Sequence, residues 1–131
     1  MIGLDTNILV RFLTEDDPRQ ADLAAEWIQA AINKEEKLFL NRVVLCELVW
    51  VLSGSYGFPK SRVVEILEEL LSLGHLIVED REIVFAALED YASSNADFAD
   101  CLIGRGNKAT GCSATLTFDR KLGRTGLFRG K

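Results

Sequence analysis

Met1-Ile2-Gly3-Leu4-Asp5-Thr6-Asn7 opens the chain, and how it reads decides the fold. A brief apolar run from Met1 to Leu4 predicts a strand. It stops at an acid, and a helical turn is expected over Ile8 to Leu13. Strand, carboxylate and helix in that order suggest an α/β arrangement, and the rest of the sequence repeats the alternation. Asp16-Asp17-Pro18 starts a helix, with Pro18 near the first helical position. That helix continues through Ala21, Leu23, Ala24, Trp27, Ile28, Ala31 and Ile32, which keep a 3.6-residue spacing.

Lys37 to Leu40 predicts a second strand, and Asn41 can cap a helix begun just after it. Val43 to Ser53 is a strongly apolar helix closed by Gly54. Ser61 to Ser72 is an amphipathic helix ended by Gly74. Leu76 to Val78 reads as a strand, and Asp80 to Ser93 and Asp97 to Ala109 as helices. Ser113 to Thr117 and a short stretch at Leu127-Phe128 complete the strands. Strands separated by helices imply a parallel-rich sheet covered by helices. Ligands of such sheets sit outside the carboxyl ends of the strands, where Asp5 and Asp119 belong.

The chain has 131 residues, 48% of them hydrophobic, with only two prolines. That fits one globular domain, residues 1–131, with a core large enough to need no disulfide. No apolar run approaches the length of a membrane helix. The N-terminus has neither a basic region nor a long apolar stretch, so no secretory signal is expected and the cytoplasm is the expected location. Cys46, Cys101 and Cys112 show no zinc spacing and are expected as reduced, small core residues. The net charge is −5, which at first argues against a nucleic-acid partner. From Arg105 onward, however, Arg105, Lys108, Arg120, Lys121, Arg124, Arg129 and Lys131 accompany a single acid, Asp119. Such a segment could face a phosphate backbone or simply be a solvated face.

Four acidic features carry chemistry. Asp5 follows the first strand, where it could equally be a cap. Glu47 has Val43 at i−4 and Val51 at i+4 in an apolar helix. Burial of a lone carboxylate is costly unless it is paired, hydrogen-bonded or bound to metal. The alternative is an outward-pointing Glu47. Asp97 and Asp100 share a helix face, with Asp97 also suited to capping. Asp119 follows a strand and leads into the basic loop, where a turn-forming role is equally open. Packed together without a cation these acids would repel one another. A divalent metal removes that conflict, and oxygen-only ligation favours Mg²⁺ or Mn²⁺ over zinc. Such a site activates water at a phosphodiester. Arg11, Arg42 and Arg105 are candidates to steady phosphates. Trp27, Trp50, Phe85 and Tyr91 fall on helices among apolar neighbours and are expected in the core or on a dimer face.

These residues, in the order Met1-Ile2-Gly3-Leu4-Asp5-Thr6-Asn7, Cys46-Glu47-Leu48-Val49-Trp50-Val51-Leu52, Asp97-Phe98-Ala99-Asp100-Cys101-Leu102-Ile103 and Thr117-Phe118-Asp119, resemble the ordered motifs of PIN domains. The nearest likeness is to the VapC-like toxin ribonucleases of toxin–antitoxin pairs. The resemblance implies a central parallel sheet of four to five short strands flanked by helices, and a pocket that binds Mg²⁺ or Mn²⁺ and cleaves RNA. It places Asp5, Glu47, Asp100 and Asp119 on the metal-binding positions and Asp97 on a frequent fifth acid. Thr6, Asn7 and Thr117 match supporting polar positions. It also implies a homodimer and a small antitoxin partner, with no membrane involved. One departure comes after Asp100, where Gly104 and Gly106 are expected to loosen the helix and Arg105 to aim a cation toward substrate.

Alternatives are a free-standing RNA-processing nuclease of the same fold and a catalytically silent binding module. A phosphoaspartyl transfer domain is disfavoured, because residue 7 is Asn where a second Asp is needed.

Overall fold

The computed structural model describes residues 1–130, with the side chain of Arg124 excepted. Two of the seven C-terminal cations, the Arg124 side chain and Lys131, therefore lie outside the described residues. The chain divides into two compact units, Met1–Glu79 and Asp80–Lys131.

The first unit runs β1 (Ile2–Gly3), α1 (Thr6–Thr14), α2 (Pro18–Asn33), β2 (Leu38–Leu40), α3 (Arg42–Trp50), α4 (Lys60–Leu71) and β3 (Leu76–Val78). Its three strands pair in the order β1-β2-β3, all parallel, with Ile2 beside Leu38 and Leu38 beside Leu76. The register follows from alternation: Leu38, Leu40, Leu76 and Val78 are buried, while Ile77 between them is exposed. Helix α1 is longer than the turn expected from the sequence, because Asp5 caps it and the helix begins at Thr6 itself. Asp17 caps α2 by accepting from the Gln20 N–H, with Pro18 in the first turn. Asn41 caps α3 by accepting from the Val43 N–H at 2.7 Å.

Gly54 does not end α3 as the sequence suggested. Val51–Ser55 instead forms a π-helical turn, closed by the Tyr56 N–H donating to the Val51 carbonyl. Amphipathic α4 buries Val63, Ile66, Leu67, Leu70 and Leu71. At about 2 kcal/mol for each large apolar side chain removed from water, one such face outweighs the helix's weak intrinsic preference.

The second unit runs α5 (Arg81–Ser93), α6 (Phe98–Thr110), β4 (Thr115–Leu116), a 3₁₀ turn at Leu122–Arg124, and β5 (Phe128–Arg129). Strands β4 and β5 are parallel, with Thr115 beside Phe128 and Leu116 beside Arg129. Tyr91 of α5 meets Phe98 of α6 edge-on at 5.8 Å, and Val84, Ala87, Cys101 and Leu102 are buried with them. Helix α6 ends at Gly111, whose φ of 111° lies in the left-handed region that glycine tolerates best. Among the described residues, the strands of each unit pair in parallel within that unit and are joined along the chain by helical segments, so the architecture is α/β.

The structure corrects several sequence expectations. Of the four helix aromatics expected in the core or on a dimer face, Tyr91 is in the core, while Trp27 and Trp50 are more than half exposed and Phe85 is exposed, which rules out only the core placement for these three. A face that is apolar in sequence can be left in water, because periodicity reports pattern and not cover. Cys101 is buried, but Cys46 is half-buried and Cys112 exposed. Gly104 does not loosen α6. A Cβ placed there would fall 2.7 Å from the Phe128 ring, so the glycine lets β5 seat against the helix.

Candidate metal and phosphodiester site

Two groups of carboxylates emerge, one in each unit. In the first unit, a strand end and two helices position the side chains. The Asp5 carboxylate accepts from the Thr6 N–H at 2.8 Å and caps α1. Thr6, buried between capping residue and core, donates its hydroxyl to Oε1 of Glu47 on α3 at 3.0 Å. One threonine thus holds both acids, its backbone amide fixing Asp5 and its side chain fixing Glu47. A carboxylate has two oxygens and about four lone-pair sites, so each acid keeps acceptor capacity for a further ligand. Asn7, at the second position of α1, is exposed.

Glu47 itself is exposed, which corrects the premise that it is buried. It projects on the helix face shared with Val43 and Trp50, four and three positions away, and both of these are also exposed. The sequence made this face look like core because its apolar residues do not alternate with polar ones.

In the second unit, Asp97 accepts from the Phe98 N–H at 3.0 Å and caps α6. Asp100 lies one turn along, half-buried. Burial pushes the Asp100 carboxyl above its ordinary value of 3.8, and the negative charges of Asp97 and Asp119 push it further. Asp119 sits in a defined turn. Its carboxylate accepts from the Lys121 N–H at 2.9 Å, and its own N–H donates to the Thr117 hydroxyl at 3.0 Å. The turn-forming expectation for Asp119 is met in these bonds, and Thr117 supports it.

The donor chemistry suits a hard divalent cation: every acid offers oxygen, and the like-charge field on Asp100 is of the kind a cation would relieve. Among the described residues, however, no group of three or more His, Cys, Asp or Glu side chains stands close enough together to hold a metal ion.

The three candidate phosphate-binding arginines are already engaged. Arg11 donates to Gln20 at 2.7 Å and pairs with Asp16 at 3.0 Å. Asp16 is held below the usual carboxylate range, first by the Tyr56 hydroxyl and then by Thr14 and Arg11. Arg42 lies 3.7 Å from Glu79. Arg105 grips Asp90 with two bonds of 2.6 and 2.9 Å, joining α6 to α5 instead of reaching for a ligand. The sequence offered no signal for these partners, since they lie 5 to 37 residues away along the chain.

The model of the PIN domain family matches residues 2–127. The chain is 27% identical, over 124 residues, to a protein described as a VapC ribonuclease from Aquifex aeolicus (strain VF5), covering 95% of this chain and 91% of that one. No solved structure matches. Among the described residues, no helix is long and apolar enough to cross a membrane.

Proposed function

The chain belongs to the PIN domain family, and we propose that it is a metal-dependent endoribonuclease, the toxin of a type II toxin–antitoxin pair. The observation that carries this reading is the family match from residue 2 to 127, taken with the VapC ribonuclease it resembles over nearly its whole length. Since one family model runs across both units, we read residues 1–131 as a single PIN-like domain. A small antitoxin protein and a second copy of the chain as homodimer partner belong to the same reading.

Asp5, Glu47, Asp100 and Asp119 are the proposed ligands of Mg²⁺ or Mn²⁺, with Asp97 as a supporting acid. The cation, when bound, would activate water and offset charge on the phosphate. The chain's own residues prepare that chemistry. Thr6 fixes the orientation of Asp5 and Glu47, and the Thr117–Asp119 turn fixes Asp119. Asp100, whose proton is held more tightly than usual beside Asp97 and Asp119, is in a like-charge field that a cation would offset. A carboxylate freed from that proton could accept one from water.

Cleavage of single-stranded RNA by the purified protein in Mg²⁺ or Mn²⁺, and its arrest by a chelator, tests the reading. Asp5→Asn and Asp100→Asn should each lower the rate by about 10²–10³ with the fold retained. Full cleavage by either variant overturns the ligand assignment. The missing three-ligand grouping among the described residues favours a second reading, a catalytically silent PIN-like binding module. That protein would show no thermal shift with Mn²⁺, whereas the nuclease would show one that disappears in both variants.

A further inference from the structure

We propose that Phe118 is a base-stacking platform that holds an unpaired nucleotide of single-stranded RNA beside Asp119, an inference that rests on the RNA-cleaving reading above. The β4–β5 ribbon has two unlike faces. On one, Phe128 is buried against Gly104, and the Thr115 hydroxyl accepts from Asn107 of α6 at 2.9 Å. Strand side chains alternate, so the opposite face carries Leu116 and its register partner Arg129, and Phe118 follows two residues after Leu116, in the bend past the end of β4. Leu116 is 80% exposed and Phe118 103%. A phenyl ring standing wholly in water adds nothing to the core that would account for it.

Its mounting is not loose. Phe118 lies between Thr117 and Asp119, whose hydrogen bonds define the turn. The chain after β5 passes so close that a Cβ on Gly130 would fall 2.8 Å from the Thr117 carbonyl oxygen. Phe118, Asp119, Arg120 and Arg129 together line a cleft of about 630 Å³, within the range of small-ligand sites. Within this unit, no carboxylate among the described residues pairs with Arg120, Lys121 or Arg129.

A fully exposed aromatic ring, with unpaired cations around it and one carboxylate next to it in sequence, suits single-stranded RNA. The ring stacks a base without reading its identity, and the arginines meet the flanking phosphates. Charge selects this occupant. The face offers cations and an aromatic ring, and a second copy of the chain related by a two-fold axis would meet them with a face that is itself cationic.

The test is binding of a single-stranded RNA containing 2-aminopurine, in chelator, with cleavage in Mn²⁺ measured separately. Wild type should quench the fluorescence on binding. Phe118→Ala should keep its melting temperature, lose the quench and bind about tenfold more weakly. Phe118→Trp should restore both. Arg129→Gln should keep the quench and reduce the salt slope by about 0.7. Unchanged affinity and quench in Phe118→Ala overturns the inference, as does a wild type that binds no RNA. So does a Phe118→Ala protein that loses a dimer in sedimentation while its RNA affinity stays the same, because the face then serves a second copy. A wild type that binds and quenches but never cleaves leaves the stacking inference standing and sinks the nuclease reading. A wild type that cleaves, alongside Phe118→Ala with the same KM and the same quench, does the reverse.

Discussion

In the first unit, Asp5 and Glu47 are exposed acids that both receive hydrogen bonds from a single buried residue, Thr6. In the second, Asp100 is half-buried beside Asp97 and Asp119, and its proton is held by burial and by their like charge. The same kind of group is thus kept ready in two ways. One pair receives donated hydrogen bonds that orient it, and the other group has been left in a field that opposes its charged form. Donors hold a carboxylate in place; like charges around it are of the kind a cation would relieve. Without metal, the charge of Asp100 should therefore register in stability, and the bonds from Thr6 chiefly in the geometry of Asp5 and Glu47.

The largest effect that could break this contrast comes from a pair of variants. Asp5→Asn and Asp100→Asn should both lower metal-dependent RNA cleavage by about 10²–10³, yet differ in stability without metal. Asn caps a helix as well as Asp, so Asp5→Asn should melt with the wild type. Asp100→Asn removes an opposed charge and should melt higher by roughly 2 °C near neutral pH. Equal melting shifts, read by calorimetry in chelator, would erase the distinction.

Next in size is Gly104→Val. Its side chain would meet the Phe128 ring, and overpacking of this kind costs about 1–3 kcal/mol in a denaturant titration. The damage should fall on the unit that carries Asp100, so amide exchange should quicken in α6 and β5 and not in α1. Uniform loss of protection would refute that localisation.

Smaller still is Thr6→Val, which keeps the shape but deletes the hydroxyl. We expect about 1 kcal/mol of lost stability and a lower cleavage rate with KM unchanged, both recovered by Thr6→Ser. A Val variant with wild-type kinetics would show that the hydrogen bond to Glu47 is incidental.

The finest effect is in pH. An acid whose folded value is raised binds more protons folded than unfolded. Its contribution to stability is therefore best at low pH and is lost as pH rises from 3.8 to the raised value. Without metal, wild type should show that decline and Asp100→Asn should lack it. Saturating Mn²⁺ should offset it. Identical pH profiles for the two proteins would contradict the like-charge account of Asp97, Asp100 and Asp119.

Much of the fold could be read from residues 1–131, because local signals and packing agree. Leu76–Val78 falls where alternation put it, and Asp97 and Asn41 cap the helices they precede. What escaped was set by distant partners. Glu47 looked buried because Val43, Val51 and Trp50 surround it, yet that face is open to water. Arg105 looked free until Asp90, fifteen residues upstream, proved to hold it. Gly104 looked like a weakness in the helix until the Phe128 ring filled the space beside it. Composition names the groups able to react, but a hydroxyl such as that of Thr6 gains its role only through a neighbour 41 residues away.

The π-helical turn at Val51–Ser55 sets the phase of everything just beyond it. One extra residue in a helical turn rotates the outgoing chain by about 100° relative to an uninterrupted α-helix. Tyr56 leaves at that rotated angle, and its hydroxyl reaches Asp16, which in turn holds Arg11. A one-residue deletion there would restore ordinary helical winding and swing the phenol away. The loss would be felt at the loop between α1 and α2, forty residues upstream, with every amino acid of that loop unaltered.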